Sequence, residues 1–127
     1  MTKEIIHTAA APDAIGTYSQ AVRVANQLYV SGQIPLDPST MQLISDDITM
    51  QIKQAFNNLL AIISAAQAKT DDVVKLTIYL TDLEHFAIVN EVMAMYFTAP
   101  YPARAVIGVK SLPKGAAVEI DAILILK

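Results

Sequence analysis

Two charged residues lie inside apolar, strand-like segments, and both are of types that can do chemistry there. Arg104 opens the run Ala105-Val106-Ile107-Gly108-Val109, and Glu119 sits within Ala116-Ala117-Val118-Glu119-Ile120-Asp121-Ala122. A guanidinium keeps its charge, so a partly buried one needs an anion. A buried carboxylate is costly unless paired; otherwise its pKa rises and it becomes a usable acid–base group. Two arrangements satisfy these demands. Either Arg104 and Glu119 form an ion pair between neighbouring strands, or Arg104 holds a substrate carboxylate by a bidentate pair while Glu119 handles a water.

Few other residues offer chemistry. The chain has no cysteine, which excludes thiol nucleophiles, disulfides and cysteine-ligated metal sites. Its four glycines are too sparse for a dinucleotide fingerprint or a phosphate-cradling loop. Ser31 lies in Val30-Ser31-Gly32, which lacks the glycine spacing that exposes a nucleophilic serine, so a turn or substrate-contacting hydroxyl is expected. His7 and His85 are the only histidines; His85 and Asp82 read as exposed helix residues rather than metal ligands. Asp46-Asp47 and Asp71-Asp72 suit capping and turns, and Met93 and Met95 suit core filling. No metal or organic cofactor is expected.

With 127 residues the chain forms one domain, residues 1–127, large enough to fold around a single core. A net charge of −3, two arginines and scattered lysines argue against nucleic acid, whose binders cluster basic charge. The composition is 54% hydrophobic and only 17% charged. Soluble chains ordinarily carry about 25% charged residues. No apolar run approaches the ~18–20 residues that span a bilayer. The first ten residues, with Lys3, Glu4 and His7, do not resemble a secretory leader, so a cytoplasmic protein is expected. More apolar surface than one core should hold points to a homo-oligomer.

The elements that must position these residues follow from patterning. Ala21 to Ala25 and Leu28 to Ile34 read as strands joined at Asn26-Gln27, with a short strand near Ile5. Ile48, Ile52, Ala55, Phe56, Leu59, Leu60, Ile63 and Ala66 recur at helical spacing, after capping residues Ser45, Asp46 and Asp47. Val73 to Leu80 alternates as a strand. Asp82 then caps a second helix with Phe86, Val89, Met93, Tyr96 and Phe97 inward, ended by Pro100 and Pro102. Strands from Arg104 to Val109 and Val118 to Leu126 flank the Pro113-Lys114-Gly115 turn. The order predicts an α+β fold: a mixed β-sheet with two helices packed on one face. The other face must bury its apolar side chains by association.

The segments Ile15-Gly16-Thr17-Tyr18-Ser19-Gln20-Ala21, Tyr29-Val30-Ser31-Gly32-Gln33-Ile34-Pro35, Tyr101-Pro102-Ala103-Arg104 and Leu112-Pro113-Lys114-Gly115 through Val118-Glu119-Ile120, with Val89-Asn90, stand in order along the chain. Together they resemble the reactive-intermediate (imine/enamine) deaminase A family, RidA or YjgF-like. The resemblance implies a chorismate-mutase-like fold that assembles as a trimeric barrel with clefts between subunits. It implies hydrolysis of 2-aminoacrylate and 2-iminobutanoate, released by serine and threonine dehydratases, to 2-keto acids and ammonia. By the same resemblance Arg104 binds the carboxylate and Glu119 is the acidic residue. Tyr18, Ser31, Gly32 and Asn90 then line the cleft, Tyr18 closing it over the imine. Three departures stand out: Thr17 for a common proline, Val106 for a frequent cysteine, and Gln67 for a frequent helix-ending glycine. Competing expectations are a non-catalytic regulatory module that binds small carboxylates, an endoribonuclease, and a chorismate mutase. The last would need more cations than Arg104 alone.

Overall fold

Alternating apolar residues fold into strands and three-to-four spacings into helices, giving eight elements in the computed structural model, which describes residues 2–127. They are β1 (Lys3–Ile6), β2 (Ala21–Val24), β3 (Gln27–Gln33), α1 (Ile48–Ala65), β4 (Val73–Leu80), α2 (Phe86–Tyr96), β5 (Ala103–Gly108) and β6 (Val118–Ile125). One six-stranded sheet runs in the order β1-β2-β3-β6-β4-β5. Every pair is antiparallel except β4 and β5, which are parallel and joined by the α2 crossover. The expected α+β architecture, with a mixed sheet and two helices, is present.

One face of the sheet is packed. Leu28 and Val30 of β3, Leu76, Ile78 and Leu80 of β4, and Val118, Ile120, Ala122 and Leu124 of β6 are buried. Against them α1 sets Ile52, Ala55, Phe56, Leu59, Ile62 and Ile63, and α2 sets Val89, Val92 and Met93, in one cluster. Phe56 stacks on Tyr96 at 5.3 Å and meets the Phe97 edge at 6.0 Å, which fixes how the helices cross. Asp47 caps α1 as expected, its carboxylate accepting from the Met50 N–H at 3.0 Å.

Three buried amides tie the loops to this core. Gln20 accepts from the Thr8 N–H at 2.7 Å and donates to the Thr8 and Pro12 carbonyls, pinning the segment before β2. Asn58 donates to the carbonyls of Ile34 and Leu36, and Gln51 joins the Ser45 carbonyl to the Ala117 N–H. Each side chain satisfies backbone groups that no ladder reaches, and none of the buried side-chain polar atoms among the described residues lacks a partner.

The opposite face stays open in the single chain. Ile5, Val22, Tyr29 and Ile123 stand side by side across β1, β2, β3 and β6, and Ile5 and Tyr29 are about half exposed. This row carries part of the apolar excess seen in the composition. No helix of the described residues is long and apolar enough to cross a membrane.

Two local expectations need correction. The β2–β3 turn is Ala25-Asn26, one residue earlier than Asn26-Gln27, because Val24 pairs with Gln27. That register buries Ala21, Leu28 and Val30 together; a one-residue slip would turn them outward. Asp82 caps a short 3₁₀ turn, Leu83–His85, through the Glu84 N–H, and α2 begins only at Phe86. At this first position Phe86 is 43% exposed instead of inward, while Val92 joins the buried stripe.

Gln67, directly after the α1 cap at Ala66, has φ of 60°, a left-handed conformation that suits glycine. Replacing it should relieve that strain. Gln67→Gly is expected to raise the unfolding free energy by about 0.5–1 kcal/mol in urea titrations; an unchanged or lower midpoint would contradict this.

Candidate active site

Arg104 is the second residue of β5, at the sheet edge, and its register partner on β4 is the fully buried Leu76. Its side chain therefore leaves the sheet on the helix side and meets α2. Nη1 donates to Asn90 Oδ1 at 2.6 Å and to Met93 Sδ at 3.6 Å. The guanidinium carbon lies 5.3 Å from the centre of the Phe86 ring. Phe86, Asn90 and Met93 fall at helical spacings of four and three, so a single stripe of α2 holds the cation. Around it opens a cleft of about 500 Å³ lined by Asn90, Met93, Ala94, Tyr101, Pro102 and Arg104.

Every partner of this guanidinium is neutral. Among the described residues no carboxylate pairs with Arg104; the one contact at salt-bridge distance is His7 Nε2 to Asp13 Oδ1, at 3.4 Å on the surface. A permanent cation oriented by an amide oxygen, a thioether and an aromatic face keeps its attraction for an anion.

Glu119 occupies a different place. Its register partner is Tyr79 of β4, so it projects from the open face, opposite to Arg104. The side chain passes directly over Gly32, where a Cβ would overlap the carboxylate. Gly32 lies where β3 departs from regular pairing with β6, between Val30 and Gln33. Burial pushes the Glu119 carboxyl above its usual range, and the Asp121 charge adds to the effect. The Tyr79 hydroxyl donates to Asp121 Oδ2 at 3.0 Å; burial raises the phenol, and the hydrogen bond to Asp121 raises it further.

The expected site residues thus divide into two groups. Arg104 and Asn90 meet on the helix side of β5. Glu119 and Gly32 meet on the open face, next to Ser31, whose hydroxyl donates to the Ser19 carbonyl and whose N–H donates to the Gln20 carbonyl. The Ser31 hydroxyl therefore anchors the segment that precedes β2. Tyr18, half exposed in that segment, accepts from the Ile15 N–H at 3.4 Å and does not line the Arg104 cleft. The Arg104–Glu119 ion pair between neighbouring strands does not form, because β4 separates β5 from β6 and the two side chains leave opposite faces. Phe86 and Met93 of α2, with Tyr101, lie around the guanidinium, and Met93 does so while also belonging to the core, as its spacing predicts. The helical spacing of 86, 90 and 93 was the signal that could have found the first two.

The family model for Endoribonuclease L-PSP matches residues 8–126. The chain belongs to this family. Its RidA-like relatives include the 2-iminobutanoate/2-iminopropanoate deaminase of Homo sapiens, 46% identical over 98% of this chain and 91% of the relative. Protein DfrA of Myxococcus xanthus is 48% identical over 98% of this chain and 97% of its own length. Among solved structures, RidA from an Antarctic Psychrobacter superposes with a TM-score of 0.93 at 49% identity, covering 97% of this chain and 99% of that one. Escherichia coli TdcF with bound serine gives a TM-score of 0.93 at 38% identity, covering 98% and 99%. The family match spans both groups of site residues, from Tyr18 to Glu119.

The raised Glu119 carboxyl has two measurable consequences. Asp121→Asn is expected to move the Glu119 titration downward, toward the ordinary carboxylate range, in carboxyl-resolved NMR; no movement would contradict the assigned charge effect. The native state holds the Glu119 proton more tightly than the unfolded chain, so Glu119 favours folding fully below the ordinary carboxylate pKa. That contribution is lost as pH rises through the raised value. Glu119→Gln should remove this fall from stability–pH curves.

Proposed function

We propose that this chain hydrolyses small 2-imino acids and their enamine tautomers, with 2-iminobutanoate and the imine of 2-aminoacrylate as substrates. The observation that carries the proposal is the Arg104 guanidinium, a cation held by neutral groups beside an open cleft. Every substrate of this class has a carboxylate next to the reacting carbon. Relatives named as 2-iminobutanoate/2-iminopropanoate deaminases support the proposal, as does a family structure with serine, another small carboxylate, bound.

The reaction asks little of the protein. Water adds to C2 of the imine, a proton reaches nitrogen, and the tetrahedral adduct collapses to the 2-keto acid with loss of ammonia. Arg104 fixes the carboxylate, and Asn90 aligns Arg104. Glu119, held toward its protonated form by burial, exchanges protons with the attacking water and the departing nitrogen. Gly32 leaves room for the Glu119 carboxylate, Ser31 secures the segment bearing Tyr18, and Tyr18 closes over the imine. No metal or organic cofactor enters these steps. The proposed setting is the cytoplasm, with the dehydratases that release such imines.

Arg104 and Glu119 leave opposite faces of one sheet, so a site that uses both draws them from two subunits. A homotrimer with three clefts between subunits meets that requirement and covers the apolar row of the open face. Trimer clefts and the deaminase activity are therefore one proposal.

An assay that couples a threonine dehydratase to 2-keto acid detection tests the activity. The wild-type chain is expected to accelerate release over the spontaneous rate, and Arg104→Ala to lose about ten- to hundred-fold of it, as expected for charged hydrogen bonds worth about 1.5–3 kcal/mol. Arg104→Lys should recover only part, since an ammonium cannot form the two-pronged contact. No acceleration, or an Arg104→Ala rate equal to wild type, would contradict the activity. Binding without turnover would favour a regulatory module, and RNA cleavage that survives Arg104→Ala would favour a ribonuclease. Sedimentation at micromolar concentration should give a trimer, and a monomer would contradict the shared cleft.

A further inference from the structure

The hydrogen bonds of Arg104 use a single nitrogen. Nη1 donates to Asn90 and Met93, while Nε and Nη2 have no hydrogen-bond partner among the described residues. These two nitrogens share one edge of the guanidinium and point their N–H groups in parallel. That edge matches the two oxygens of a carboxylate. Asn90 and Met93 restrain the cation only from the Nη1 side, and both contacts would still permit the plane to tilt about that nitrogen. Phe86 supplies the missing restraint, with its ring 5.3 Å from the guanidinium carbon. Phe86 is otherwise hard to account for: a phenylalanine at the first residue of a helix, 43% exposed, outside the buried set Val89, Val92 and Met93.

We propose that Phe86 is a positioning residue, whose ring face sets the plane of the Arg104 guanidinium so that its Nε/Nη2 edge receives the substrate carboxylate side-on. The inference rests on the role given to Arg104 above and adds how that role is prepared. A ring that attracts the cation through its electron-rich face acts by its electrostatics, whereas one that only fills space acts by its shape.

Binding of 2-oxobutanoate, followed by calorimetry, separates the two without requiring turnover. Stepwise fluorination of the Phe86 ring drains the electron density of its face while changing its shape little. The dissociation constant is expected to rise with each added fluorine, by about two- to five-fold across the series. Phe86→Leu should weaken binding to a similar extent, and Phe86→Tyr should restore it. Arg104→Ala serves as the anchor and should abolish binding. If Arg104→Ala loses binding while the fluorinated and leucine variants match wild type, the positioning role is overturned and the arginine clamp stands. If Arg104→Ala binds like wild type, the clamp falls and the positioning role falls with it. Phe86 is exposed enough that these variants should fold, which unchanged circular dichroism and melting would verify.

Discussion

The guanidinium of Arg104 is a fixed charge that its own chain does not neutralise, and the surrounding structure is arranged around that condition. β5 places the residue at the sheet edge, and α2 crosses back over it with Phe86, Asn90 and Met93 in one stripe. A carboxylate in place of Asn90 would have produced an ordinary internal ion pair and cancelled the attraction for a ligand. Neutral partners orient the cation and leave its charge available.

The sheet order imposes a second condition. With β4 between β5 and β6, the basic and acidic residues of the proposed site cannot meet within one chain. The same arrangement leaves an apolar row across the open face, where Tyr29 and Ile5 remain exposed. The proposed trimer answers both conditions, the separated residues and the uncovered apolar surface. In the proposed shared cleft, function and assembly are coupled through this topology.

Much of this was legible in the sequence where one physical effect dominated. β4 spans Val73–Leu80 as its alternation required, and Asp47 caps α1 as its side-chain oxygen allows. Arg104 and Glu119 stood out because charge inside apolar strands is costly. Strand order was not legible, since period-two patterning shows which residues share a face but not which strand lies beside which. The charges of Arg104 and Glu119 allow a pair, but β4 lies between their strands. Phe86 differs for a related reason: helical spacing puts it on the inward stripe, but at the helix start that residue faces a cation instead of the core. The buried amides Gln20, Gln51 and Asn58 gave no pattern at all, because their partners are backbone groups of distant loops.

A crystal structure with 2-oxobutanoate bound tests the central claim most directly. The account predicts the carboxylate side-on against Nε and Nη2 of Arg104, with Nη1 still donating to Asn90 and the keto carbon facing Glu119 of a second copy. A carboxylate bound elsewhere, or an Arg104 neutralised by an acidic residue of the neighbouring copy, would contradict it.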